Sequence, residues 1–86
     1  MWQIDLKKSV LKDLAKIKKS GLTKQFDDVY KQLKVDPYSP TQRFEKLKPP
    51  VDGKYSRRVN GQHRVVYQIN NETKIVTILS AYGHYE

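Results

Sequence analysis

The chain contains no cysteine, which excludes disulfide staples and thiolate metal centres and suits a reducing compartment. Long apolar runs are missing too: nothing approaches the roughly 20 residues that span a bilayer. The opening residues Met1-Trp2-Gln3-Ile4-Asp5 lack a basic segment followed by an apolar one, so no secretory leader is expected and the cytoplasm is the expected location. Glycine is scarce, with 4 in 86 residues, and none forms a phosphate-cradling loop. Arginine is absent from residues 1–36, which instead hold nine lysines and five aspartates. Metal-ligand spacing is missing as well, because His63 and His84 stand 21 residues apart with no acidic partners at ligand spacing.

What is present is positive charge. Lys and Arg number 17 against 9 Asp and Glu, a formal net charge of +8. That balance suits a polyanionic partner. Seven cations (Arg43, Lys46, Lys48, Lys54, Arg57, Arg58, Arg64) face only Glu45 and Asp52 between residues 43 and 64, and this window holds every arginine. Lysines scattered along helices form a solvated face, whereas clustered guanidinium groups suit forked recognition of phosphate or carboxylate. At 86 residues a single domain spanning 1–86 is expected. A chain of this size buries only about 60–65% of its unfolded surface, so the core must be thin.

Trp2, Ile4 and Leu6 alternate with polar residues and read as a short first strand. Ser9 can cap a helix whose apolar stripe is Val10, Leu11, Leu14 and Ile17, with Gly21 as its stop. A second helix places Leu22, Phe26, Val29, Tyr30 and Leu33 on one face and ends at Asp36-Pro37. After Pro40 the period falls from 3.6 to 2. Strands are expected at Phe44 to Lys48, Lys54 to Val59, His63 to Ile69 and Thr73 to Ala81, with turns at Asp52-Gly53, Asn60-Gly61 and Asn70-Asn71. The fold class is α+β: a first strand and a helical hairpin packed on one face of an antiparallel sheet.

The Asn60-Gly61 turn constrains the arginines. A two-residue loop sets Arg57 opposite Arg64, while a three-residue loop with a bulge sets Arg58 there. Like charges directly opposite are destabilising, and an anion lying between them relieves the repulsion. Glu45, this arginine pair, two histidines and the aromatic end Tyr82, His84, Tyr85 are the parts that RNA cleavage by acid and base requires. A base takes the ribose 2′-hydroxyl proton, a cation stabilises charge on the phosphate oxygens, and an acid protonates the departing 5′-oxygen. His63 lies next to Arg64 but points to the opposite strand face, and is read as structural.

Four pieces, in order, carry a resemblance: Glu45-Lys46-Leu47-Lys48, then Gly53-Lys54-Tyr55-Ser56-Arg57-Arg58-Val59, then His63-Arg64-Val65-Val66-Tyr67, then His84-Tyr85. Together they resemble the YoeB/Txe toxins of the RelE superfamily, over about the C-terminal half. The resemblance implies a RelE-like fold and a ribosome-dependent endoribonuclease that cuts mRNA codons in the A site without a cofactor. It implies Glu45 as general base, Arg64 on the scissile phosphate, His84 as acid and Tyr85 stacking on a base. It implies Lys48 and Arg58 on backbone phosphate, which favours the three-residue loop; Arg57 is grouped with these phosphate-binding cations. Implied partners are mRNA, ribosomal RNA and an acidic, partly disordered antitoxin of YefM type, with monomer and homodimer both open. Two features depart from the family: the first helix is aliphatic and lysine-rich rather than aromatic, and Glu86 follows the terminal tyrosine. The alternative is a non-catalytic basic module of the same superfamily that binds nucleic acid or inhibits an enzyme.

Overall fold

The computed structural model describes residues 2–47 and 53–82. Lys48, Pro49, Pro50, Asp52, His84, Tyr85 and Glu86 lie outside the described residues.

The chain runs β1 (Gln3–Leu6), α1 (Lys8–Lys19), α2 (Thr23–Val35), β2 (Glu45–Lys46), β3 (Lys54–Arg58), β4 (Arg64–Asn70) and β5 (Ile75–Ser80). Lys7, with extended backbone, precedes α1, so Ser9 sits inside the first turn and makes no cap. The other end follows expectation. Gly21 takes a left-handed φ of 70°, and the N–H groups of Gly21 and Leu22 donate to the Lys18 and Ile17 carbonyls. Asp36 closes α2 ahead of Pro37. Asp27 and Asp28 fall beyond the first turn of α2, where they pair with Lys31 and Lys24.

The strands form one sheet in the order β1-β5-β4-β3-β2. β1 joins its edge as expected but runs parallel to β5, with Gln3 opposite Ile75, so the sheet is mixed rather than antiparallel throughout. Both helices and three strands separate β1 from its partner β5 along the chain, ample length for the crossover that a parallel pair requires.

Alternation along β4 and β5 sends Val65, Tyr67, Val76 and Ile78 to the helices, where they meet Val10 and Ile17 of α1 and Val29 and Leu33 of α2. Burying each such side chain contributes about 1.5–3 kcal/mol, the main return available to a core of this size. Leu11, expected in the α1 stripe, is instead 59% exposed. The face away from the helices carries Arg58, Arg64, Ser56 and Val66. A bulge interrupts its pairing: Tyr67 faces Ile78 while Val66 faces Ser80, leaving Leu79 as the extra residue. The bulge shifts the alternation of β5, so that Ala81 enters the core.

Candidate functional site

The hairpin settles the arginine register. Arg58 is opposite Arg64, and the loop between β3 and β4 closes through the Val59 and Asn60 N–H groups, both donating to the His63 carbonyl. The Asn60 side chain accepts from the Gln62 and His63 N–H groups at 2.8 and 2.7 Å, so this residue builds the turn as well as preceding it. The Arg58 guanidinium donates to the Gly61 carbonyl at 2.9 Å, which splays it toward the loop and away from its counterpart.

Glu45 reaches the same face from β2, which pairs with β3 so that Glu45 lies opposite Ser56. Ser56 in turn lies opposite Val66, and both are buried, forming a floor on this face. Above it the Glu45 Oε2 and Arg64 Nη1 atoms approach to 3.5 Å. The pair is asymmetric: the Arg64 side chain is 20% exposed and Glu45 59% exposed. Arg64 Nε is buried and has no hydrogen-bond acceptor among the described residues. A half-buried fork with an unused donor beside an accessible carboxylate can take up an anionic oxygen and a proton side by side.

Arg57 corrects the sequence reading. The pattern groups it with the phosphate-binding cations, but the three-residue loop turns it to the helix side, where it is completely buried. Its Nη1 donates to the Thr41 carbonyl at 2.9 Å, its Nη2 approaches the Asp36 carbonyl at 3.4 Å, and its guanidinium lies 4.9 Å from the Phe44 ring centre. These groups belong to the segment leading to Glu45. Tyr67 holds the same segment by donating to the Pro37 carbonyl at 3.0 Å, and Tyr55 packs between the rings of Tyr38, Phe44 and Tyr67. Burial pushes the Tyr67 phenol well above its usual pKa, against the opposing pull of Arg57. Within the segment Gln42 and Arg43 both adopt left-handed backbone, φ 55° and 53°, at a cost of roughly 1–2 kcal/mol each. Neither is glycine, so no local sequence signal announces this turn.

The end of the sheet is fastened to α1. The Ala81 N–H donates to the Asp13 carboxylate at 3.0 Å. Tyr82 shares a hydrogen bond with Ser20, lies under Lys16, and stacks on His63 with ring centres 3.9 Å apart. His63 is buried, and its ring lies against this tyrosine. The stack joins the hairpin to the chain two residues before His84. His84, Tyr85 and Lys48 lie outside the described residues.

Among the described residues no three His, Asp or Glu side chains converge as metal ligands would. A cavity of about 560 Å³ lies at the other end of the sheet, against Gly53, Gln68, Asn70 and Thr77, and does not include Glu45 or Arg64.

Sequence and structure comparisons agree on kinship. A family model described as the YoeB-like toxin of bacterial type II toxin-antitoxin systems matches residues 7–85. Toxin YoeB of Synechocystis sp. is 34% identical over 65 residues, covering 76% of this chain and 73% of that protein. Among solved structures, a YoeB/ParE toxin from Agrobacterium tumefaciens superposes with a TM-score of 0.82 at 21% identity, covering 96% of this chain and 99% of that one. The YoeB–YefM heterotetramer from Staphylococcus aureus gives 0.78 at 25% identity, with 99% of both chains covered. The YoeB dimer from the same organism gives 0.81 at 25% identity, with 98% of both covered. The chain therefore belongs to the YoeB-like toxins of bacterial type II toxin-antitoxin systems.

Proposed function

We propose that this toxin is a ribosome-dependent endoribonuclease that cuts mRNA within codons held in the A site. The observation that carries the reading is the approach of Glu45 to Arg64 at 3.5 Å on the face that also bears Arg58. An incoming phosphodiester competes with Glu45 for the Arg64 fork. As the phosphate takes that fork, the carboxylate is released beside the ribose and accepts the 2′-hydroxyl proton. The 2′-oxygen attacks phosphorus, the bond to the 5′-oxygen breaks, and His84 supplies the proton that this oxygen takes up. The products are a cyclic phosphate, open to hydrolysis to a 3′-phosphate, and a free 5′-hydroxyl. Tyr85 stacks on a neighbouring base, while Arg58 and Lys48 hold flanking phosphates.

A lone accessible carboxylate is a weak base for a ribose hydroxyl, so free RNA is cut slowly and the ribosome supplies orientation. Lys8, Lys12, Lys16 and Lys19, all exposed on α1, serve as point charges toward ribosomal RNA. The toxin acts in the cytoplasm and is held inactive by an acidic, partly disordered antitoxin like the YefM seen with the S. aureus YoeB. Primer extension on a translated message tests the reading. Cleavage phased to codons is the expected result; arrested translation with intact message would replace the enzyme with a non-catalytic binding module.

A further inference from the structure

We propose that Arg57 is a positioning residue for Glu45, a buried clamp that fixes the turn delivering the carboxylate. The inference rests on the endoribonuclease reading above.

Arg57 is fully buried, and no carboxylate of the described residues pairs with it. Burying a cation without an anion is unfavourable, and an apolar side chain of similar volume would fill the space without that cost. What an apolar side chain cannot do is hold carbonyls. The Arg57 fork reaches both ends of the segment from Asp36 to Thr41, donating to the Thr41 carbonyl at 2.9 Å and approaching the Asp36 carbonyl at 3.4 Å. Its guanidinium also lies against Phe44, the residue immediately before Glu45.

The Thr41 carbonyl is shared. It also accepts the Phe44 N–H at 3.0 Å, closing the turn in which Gln42 and Arg43 are both left-handed. That conformation turns the Gln42 carbonyl onto the Arg58 N–H at 2.7 Å, which ties the turn to β3. Arg57 thus grips from behind the sheet the turn whose next residues are Phe44 and Glu45, and its neighbour Arg58 lies on the opposite face beside Arg64. A lysine keeps the charge but lacks the fork that reaches two carbonyls. Without the clamp the two left-handed residues are free to relax, and a displacement of about 1 Å at a reacting group can cost about 10²-fold in rate.

The test compares wild type, Arg57→Lys and Arg57→Met in single-turnover cleavage on programmed ribosomes, with rate at saturation separated from the half-saturating ribosome concentration. Amide hydrogen exchange is followed on the free proteins. Arg57→Met is expected to lower the saturated rate about 10- to 100-fold, with half-saturation changed less than about threefold. Exchange at the Arg58 amide should quicken about tenfold or more, while the core amides of Val65 and Val76 keep their protection. Arg57→Lys should fall between the two, and it decides the matter by the same criteria if Arg57→Met does not fold. Guanidinium ion at millimolar concentration should partly restore the rate of Arg57→Ala by occupying the vacated space. A wild-type rate in Arg57→Met overturns the proposal. So does a loss of rate matched by faster exchange at Val65, which would make the role merely structural, or weaker half-saturation at unchanged rate, which would make Arg57 an RNA contact. If wild type itself leaves the message intact, the endoribonuclease reading falls, and unchanged Arg58 exchange in Arg57→Met would separately remove the clamp.

Discussion

Glu45→Gln separates what the ion pair does for the fold from what it does for chemistry. Coulomb's law at 3.5 Å gives roughly 1 kcal/mol in water-like surroundings and roughly 5 kcal/mol at an effective dielectric of about 20. The Glu45 side chain is 59% exposed, which places the pair near the first value, and measured exposed pairs contribute about 0.2–1 kcal/mol. Gln keeps the shape and one carbonyl acceptor for Arg64, so the expected loss of stability is about 1 kcal/mol, or a fall in Tm of about 4–8 °C for a domain this size. Losing a general base instead costs about 10² to 10⁴ in rate, equivalent to about 3–5 kcal/mol of barrier. Urea unfolding followed by circular dichroism gives the first quantity, and single-turnover cleavage on programmed ribosomes gives the second. A variant cutting within threefold of wild type refutes the assignment of the base. A stability loss above about 3 kcal/mol, with the rate following the folded fraction, would show that the pair is structural.

Three further outcomes are expected. Tyr67→Phe leaves the Pro37 carbonyl without its donor and should cost about 1–3 kcal/mol of stability; because burial raises the phenol pKa above 10.0, its contribution is present below pH 10 and lost as pH rises beyond it, so the variant should show a shallower alkaline decline in chemical denaturation. Replacing Lys8, Lys12 and Lys16 together by Gln should weaken ribosome association and flatten its salt dependence at unchanged saturated rate, whereas Arg64→Lys should lower that rate and leave the salt slope alone, both read from cleavage titrations at several salt concentrations. Arg58→Glu should weaken binding of an acidic antitoxin and slow its association mainly at low salt, measured by stopped-flow mixing; an affinity indifferent to salt would argue against an electrostatic seat for the antitoxin on this face.

The parts of this fold that depend on local pattern were legible in the sequence. Asn60-Gly61 located the hairpin, Gly21 ended α1, and the fall in period after Pro40 marked where helices give way to strands. The pairing of Arg58 with Arg64 followed once the three-residue loop was favoured, whereas Glu45 reaches their face through the register of β2 on β3, which no local pattern announces. What escaped depended on contacts far apart along the chain. The side chain of Arg57 could not be assigned to the helix face until the loop length was fixed, because a slip of one residue exchanges the faces of the two arginines. The left-handed pair Gln42-Arg43 is held by the Phe44 N–H donating across it to the Thr41 carbonyl and by the Arg58 N–H donating to the Gln42 carbonyl, and by no intrinsic preference of Gln or Arg. The parallel direction of β1 was equally hidden, since alternation shows that a strand exists and not which way its neighbour runs.

The order of the strands bears on when this toxin comes into being. Among the described residues β1 comes first along the chain, yet the strand it pairs with is β5, the last, and β5 also pairs with β4. Pairing across that span must wait for loop closure over nearly the whole chain, which slows folding. A nascent chain that has yet to expose Ile75 to Ser80 therefore has an edge without a sheet and a helical pair without a full floor. Loss of Ile75 to Ser80 would unseat both neighbours at once: that strand pairs with β1 and β4 alike and carries Val76 and Ile78 into the core.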